Sequence, residues 1–217
     1  MLHAVTYALL DSLNVLLIGV VVAIGVMLPR TAKYPKIATL LIAGDWMGVF
    51  ILALATMFVF DGIGEPIKQL VESPAFGIIL IVVGLMSIGM TIRGGDTTAI
   101  TNKLLPPLQT PTVKTFAAGF VLGLVQSATS APFFAGIAVL SAGDFSVATR
   151  YVGMIFYASL ALSLPFATAV MVGMVRKQPN SAVGRGFEAM RSNKERVNKV
   201  AGYIVGVVLV LMGALHL

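Results

Sequence analysis

Long apolar runs alternate with short polar links along the whole chain. Runs near 5–28, 37–60, 74–92, 113–140, 148–175 and 197–217 each approach or exceed the roughly 20 residues that cross about 30 Å of hydrocarbon as a helix. They are continuously apolar and show no two-residue alternation. That excludes a barrel pattern, because backbone groups in lipid are satisfied either within a helix or around a closed sheet. The pattern predicts an all-α polytopic membrane protein with six transmembrane helices. No basic residue precedes the first run, which is also longer than the apolar stretch of a cleavable signal, so it is read as a span.

Composition supports this reading. Of 217 residues, 58% are hydrophobic and 11% charged, with a mean hydropathy of +0.95, against about 25% charge in a soluble domain. A chain of 22.8 kDa cannot enclose that much apolar side chain in water, which excludes a soluble enzyme. The absence of cysteine excludes disulfides, thiolate metal sites and thiol-based electron relay. The net charge of +6 does not indicate nucleic acid, because the basic residues lie in short links between spans. Thirteen of the fifteen lysines and arginines fall in the first link (Arg30, Lys33, Lys36), the third (Arg93, Lys103, Lys114) and the fifth (Arg176, Lys177, Arg185, Arg191, Lys194, Arg196, Lys199). The second and fourth hold only Lys68 and Arg150, beside Asp61, Glu65, Glu72 and Asp144. Positive charge is retained on the cytoplasmic side, so both termini are expected outside, in an inner (plasma) membrane. His3 and His216 then lie at the outer surface with no metal-ligand spacing.

Three spans are an odd number, so two homologous halves would cross in opposite senses. Residues 1–96 and 113–217 are read as inverted three-helix repeats, joined by a cytoplasmic Gly/Thr/Pro-rich linker at 97–112. Span 1 carries Asp11-Ser12-Leu13-Asn14 and span 4 carries Gln126-Ser127-Ala128-Thr129-Ser130, aligned as acid or amide, serine, small residue, then amide or hydroxyl. The fifth link, 176–199, reads as an amphipathic cytoplasmic helix, either on anionic headgroups or extending span 6.

An acid inside a bilayer costs several kcal/mol, so it is kept where a function or partner compensates. Asp45 lies about 12 Å along span 2 at 1.5 Å per residue. No span interior offers it a basic partner, so it is protonated, hydrated or facing a cation. A neutral acid bonding a neighbouring helix is the structural alternative. Asp11 and Asn14 share one face of span 1 and form a polar patch, or Asp-x-x-Asn merely caps a shorter helix. In span 4, Gln126, Ser127, Thr129 and Ser130 precede Pro132, which removes a donor and breaks or kinks the helix. Carbonyls freed near residues 128 and 129 then become available to a substrate or ion, unless the preceding turn satisfies them. Span 5 offers Tyr157, Ser159 and Ser163 before Pro165, a second kink. Gly44 and Gly48, Gly119 and Gly123, and Gly202 and Gly206 have the spacing that lets helices approach closely, and the first pair flanks Asp45. Trp46 and the eleven methionines read as core or lipid-facing surface.

The early Asp-Ser-Leu-Asn motif, the acid in span 2, the hydroxyl-rich span 4 broken by proline and the basic third link resemble the lysine-exporter superfamily. Segment 9–28, LLDSLNVLLIGVVVAIGVML, is most similar to its actinobacterial glycolipid-addressing branch, the GAP or Sap group. Relatives often have proline where this chain has Val15. The resemblance implies an exporter with a central polar site, with Asp11, Ser12 and Asn14 matching the first repeat's motif and Gln126, Ser127 and Thr129 its degenerate partner. The expected function is a proton- or cation-coupled inner-membrane exporter. Its cargo is a small solute or an envelope lipid. The alternatives are translocation of a glycolipid or lipid-linked precursor, or a non-transporting scaffold for envelope assembly. No catalytic pattern, cofactor or metal site is expected. Expected partners are membrane lipids, the transported substrate and further copies of the chain.

Overall fold

The computed structural model describes residues 2–29, 31–62, 64–93, 108, 110–143, 145–178, 203 and 207–215. Among these every regular element is a helix: α1 (Leu2–Asp11), α2 (Val15–Met27), α3 (Tyr34–Gly62), α4 (Gly64–Glu72), α5 (Pro74–Arg93), α6 (Val113–Ala128), α7 (Ala131–Ala142), α8 (Val147–Ala161) and α9 (Ser163–Lys177). Residues 207–214 are also helical. Two helical stretches, Tyr34–Gly62 and Val147–Lys177, are long and apolar enough to cross a membrane by themselves. Two bent pairs bring the number to four, α1 with α2 at 42° and α6 with α7 at 76°. The apolar side chains that remain exposed, such as Phe58 at 76%, Phe156 at 65% and Leu85 at 56%, suit a surface solvated by lipid. This is a membrane protein.

Local chemistry explains the two breaks. Span 1 has no proline, yet it divides at residues 12–14. Asn14 starts α2 as its N-cap, its side chain accepting from the Leu17 N–H at 2.9 Å. The Ser12 hydroxyl turns back to the Leu9 carbonyl at 2.6 Å. In span 4 the break falls at Thr129 and Ser130. Ser130 caps α7 by accepting from the Phe133 N–H at 3.2 Å. Pro132 therefore lies in the first turn of a new helix, where its missing N–H would have had no helical partner anyway. Pro165 occupies the same kind of position in the first turn of α9, after a one-residue interruption at Leu162.

The second link holds a helix that the apolar pattern did not predict. This is α4, which packs against α5 and α7. Within the linker expected at 97–112, Leu108 is fully buried, and at the turn 110–112 the Thr115 hydroxyl donates to the Thr110 carbonyl at 2.6 Å. Residues 94–107, the fifth link beyond Gln178, Gly202, Gly206 and His216 lie outside the described residues.

Two apolar cores result. One gathers Tyr7, Met57, Phe76, Phe133, Met154 and Tyr157 with Leu209 and Met212 of the helical stretch 207–214. The other gathers Leu17, Ile24, Tyr34, Ile37, Leu41, Leu122 and Val172. Trp46 packs against both.

The cores are held in register by an unusually close crossing of α3 and α6. A Cβ added to Gly44 would run into the Phe116 carbonyl, and one on Gly48 into that of Phe120. In return, a Cβ on Gly119 would strike the Leu41 carbonyl, and one on Gly123 that of Asp45. Each helix thus presses its backbone into the gap left by the other's glycines, the small-residue packing that replaces the hydrophobic effect between helices in lipid.

Candidate functional site

The crossing decides what Asp45 faces. It is fully buried on the side of α3 that meets α6, and three residues beyond Gly123 the same helix supplies Gln126. The Gln126 Nε2 donates to Asp45 Oδ1 at 2.6 Å. The other carboxyl oxygen, Oδ2, and the amide oxygen Gln126 Oε1 are buried without a hydrogen-bond partner. An orphaned buried polar group costs about 1–3 kcal/mol, so this pair is incomplete by two acceptors.

Asp11 closes α1 directly before the first break, and its Oδ1 accepts from the hydroxyl of Ser130 at the second break. The two broken spans thus touch through their break residues. Ser130 performs two tasks with one side chain, accepting from Phe133 and donating to Asp11. Across from them, the Tyr157 hydroxyl lies 3.1 Å from the Pro132 carbonyl and 3.5 Å from Asp11 Oδ2. Its ring stands edge-on to Phe133. The Tyr7 hydroxyl, one turn before Asp11, is buried and unpartnered. The carboxyls of Asp11 and Asp45 interact electrostatically, as do Tyr7 and Tyr157. No Lys, Arg or His side chain contributes a hydrogen bond or ion pair to either carboxyl among the described residues.

The structure therefore brings Asp11, Asp45, Gln126 and Ser130 together with Tyr7 and Tyr157. It does not bring every sequence candidate with them. Ser12 and Asn14 spend their side chains on the backbone of their own break. Thr129 is exposed, and its hydroxyl turns to the carbonyls of Val125 and Gln126 at 3.1 and 3.0 Å. That turn also engages the Gln126 carbonyl through the Thr129 N–H at 3.2 Å, so part of the acceptor surface expected at the break is used internally. Ser127 is buried. Sequence reasoning passed over Tyr7 and gave Tyr157 no decisive role. Both lack a local motif, and only their helical phase relative to Asp11 and Pro132 could have raised them.

The polar cluster is bordered by two ties at the ends of the α8–α9 span. Near its start, Arg150 pairs with Asp61 at the end of α3, and Ser141 of α7 donates to the same oxygen at 3.2 Å. Near its end, the Arg176 guanidinium donates to the carbonyls of Gly25, Leu28 and Pro29 and lies 5.4 Å from the centre of the Tyr34 ring. No group of three or more His, Cys, Asp or Glu suited to a metal occurs among the described residues.

The family model described as Sap, sulfolipid-1-addressing protein, matches residues 5–215. The chain belongs to this family. The match spans both broken helices and the acid cluster, so the site lies inside the family's common region and not on an appended segment. No curated protein and no solved structure is significantly similar to the chain.

Proposed function

We propose that the chain is a multi-pass exporter of the inner (plasma) membrane, driven by protons or another cation, whose cargo is an envelope glycolipid. The observation that carries this reading is the incomplete Asp45–Gln126 pair. A proton or cation taken up there supplies what Asp45 Oδ2 and Gln126 Oε1 lack. Ion uptake thereby changes the contact between α3 and α6 and shifts the balance between two arrangements of the bundle. The family description, a sulfolipid-1-addressing protein, favours a lipid over a small solute. We read the cluster, two acids held by amide and hydroxyl partners, as a transport site and not an enzyme's.

In this proposal the chain has six spans, both termini outside, and two inverted repeats, 1–96 and 113–217, around the linker 97–112, as in the lysine-exporter superfamily. The paired breaks support it: α1–α2 and α6–α7 are each divided by a short polar segment whose last residue, Asn14 or Ser130, caps the following helix. Rocking of one repeat against the other would alternate access. Arg150–Asp61 and Arg176 with its three carbonyls stand at opposite ends of one span, where opposite gates are needed.

The test is movement of a short-chain fluorescent glycolipid between leaflets of proteoliposomes, read by protection from a membrane-impermeant quencher. Wild type should accelerate it and Asp45→Asn should abolish the acceleration. Equal rates for both proteins and for empty vesicles would leave the scaffold reading. Topology is directly accessible, because the chain has no cysteine. Single cysteines at Thr110 and Gln178 should label from one side and one at Gly62 from the other.

A further inference from the structure

Beyond the acid cluster, a lateral groove of about 920 Å³ lies between α3 and α9. That is near the upper end of the roughly 300–1,000 Å³ typical of ligand pockets. Its wall is apolar for most of its length, with Ala38, Ile42, Phe116, Phe166 and Val170. It ends in polar chemistry at both extremities. At one end stands Lys177, and the groove shares Pro35 and Thr39 with a smaller adjoining cavity lined by Lys33 and Lys36. All three lysines are exposed. At the other end Trp46 donates from Nε1 to Ser159 at 3.2 Å, one residue from Asp45.

The length is informative. From Tyr34 to Trp46 the groove follows α3 for about 18 Å at 1.5 Å per residue, a little over half of a hydrocarbon core of about 30 Å. It therefore spans one leaflet, with the charge at the surface and the apolar wall reaching the midplane. An amphiphile with a negative head and an extended chain matches both ends at once. A neutral lipid would make no use of the three lysines at the groove's end, and a soluble anion would leave the apolar wall uncovered.

The geometry points to a binding site for one anionic, acyl-chained membrane lipid, its headgroup on Lys33, Lys36 and Lys177 and one chain in the α3–α9 groove as far as the Trp46–Ser159 bond. On the orientation proposed above this is the cytoplasmic leaflet. The inference deepens the export reading by giving the lipid a place to enter next to the acid cluster, and it rests on that reading only for this purpose. Binding itself requires no transport.

The experiment uses the full chain in nanodiscs of phosphatidylcholine doped with phosphatidylglycerol carrying a photoactivatable acyl chain, or with phosphatidylcholine carrying the same chain. Cross-links are mapped by peptide mass spectrometry. Phosphatidylglycerol should label peptides from 34–47 and 163–177 well above phosphatidylcholine. Replacing Lys33, Lys36 and Lys177 by Gln should reduce that preference by about fivefold for each charge removed. Ala43→Trp, placed on an exposed small residue of the groove wall, should remove labelling by both lipids with the lysines intact. Equal labelling by the two lipids, labelling confined to other faces, or a preference unchanged in the triple variant would overturn the proposal. The triple variant alters exposed side chains only, so the charge arm decides the matter even if Ala43→Trp fails to fold. Asp45→Asn should label like wild type. Loss of flux with labelling retained therefore tests export alone, and loss of labelling with flux retained tests the groove alone.

Discussion

Gly119→Ala should loosen the α3–α6 crossing that places Gln126 on Asp45. A Cβ at residue 119 would overlap the Leu41 carbonyl oxygen, come within 2.9 Å of its carbon and lie 3.0 Å from the Asp45 nitrogen. These are backbone atoms of a 29-residue helix and cannot turn aside as a side chain would, so the helices must separate. Overpacking of this kind costs about 1–3 kcal/mol. Alanine returns up to about 1 kcal/mol of helix propensity. Overlap with backbone falls in the upper part of that range, about 2–3 kcal/mol, so the net loss of about 1–2 kcal/mol corresponds to a fall in Tm of about 2–8 °C for a chain of this size. The Gln126–Asp45 bond, 2.6 Å in the native structure, lengthens as the crossing opens, and ion-driven flux falls with it. Thermal unfolding in detergent can be followed through Trp46, the single tryptophan, which stacks on Phe50 with ring centres 5.1 Å apart. Gly19→Ala is the control. It makes the same substitution in α2, where nothing lies within 4 Å of the added Cβ, and should leave Tm unchanged or raise it. A Gly119→Ala protein as stable and active as wild type would refute the backbone contact and the siting of Asp45 that depends on it.

Other substitutions probe the site side chain by side chain. Ser130→Ala removes both the cap of α7 and the donor to Asp11, and should cost about 1–3 kcal/mol by thermal unfolding; Thr129→Val, next to it but turned away, should leave flux unchanged. Tyr157→Phe keeps the ring against Phe133 and loses only the hydroxyl's bonds to Pro132 and Asp11, so glycolipid flux should fall while stability changes by about 1 kcal/mol. Arg176→Gln leaves the carbonyls of Gly25, Leu28 and Pro29 without their charged donor. Protease access at the α2–α3 link should increase, with a stability loss of about 1.5–3 kcal/mol.

Much of this arrangement was legible in the sequence for definite reasons. Uninterrupted apolar runs announce helices in lipid, and an acid such as Asp45 within one of them is conspicuous because so few solutions compensate it. The Gly44–Gly48 spacing around Asp45 indicated that another backbone would press there, and α6 does. The proline-followed polar segment at 126–130 marked the second break, whereas the first, at 12–14, was not expected because Val15 stands where relatives have proline, and there the Asn14 cap takes the place of proline. What the sequence concealed was partnership. An apolar helix has no polar face to fix its rotation, so nothing local says that Tyr157 points at Asp11 or that Tyr7 lies beside it. Residues of the same type also divide their labour by geometry. Ser12 and Thr129 satisfy their own helix ends, whereas Ser130 reaches Asp11, and a hydroxyl's preference for the nearest carbonyl cannot be separated from a long-range bond by spacing alone. The helix α4 was hidden because its short amphipathic stretch, Gly64–Glu72, sits in a charged link that reads as a loop.

The central claim is that the Asp45–Gln126 pair takes up the ion that drives export. The direct measurement is proton movement in proteoliposomes on addition of a short-chain glycolipid, comparing wild type with Asp45→Asn and Asp11→Asn. A glycolipid-dependent proton signal in wild type that is lost in Asp45→Asn, with Trp46 fluorescence unchanged, is the predicted result. A signal of equal size in wild type and Asp45→Asn, or glycolipid movement with no proton or other cation signal in either, would contradict it.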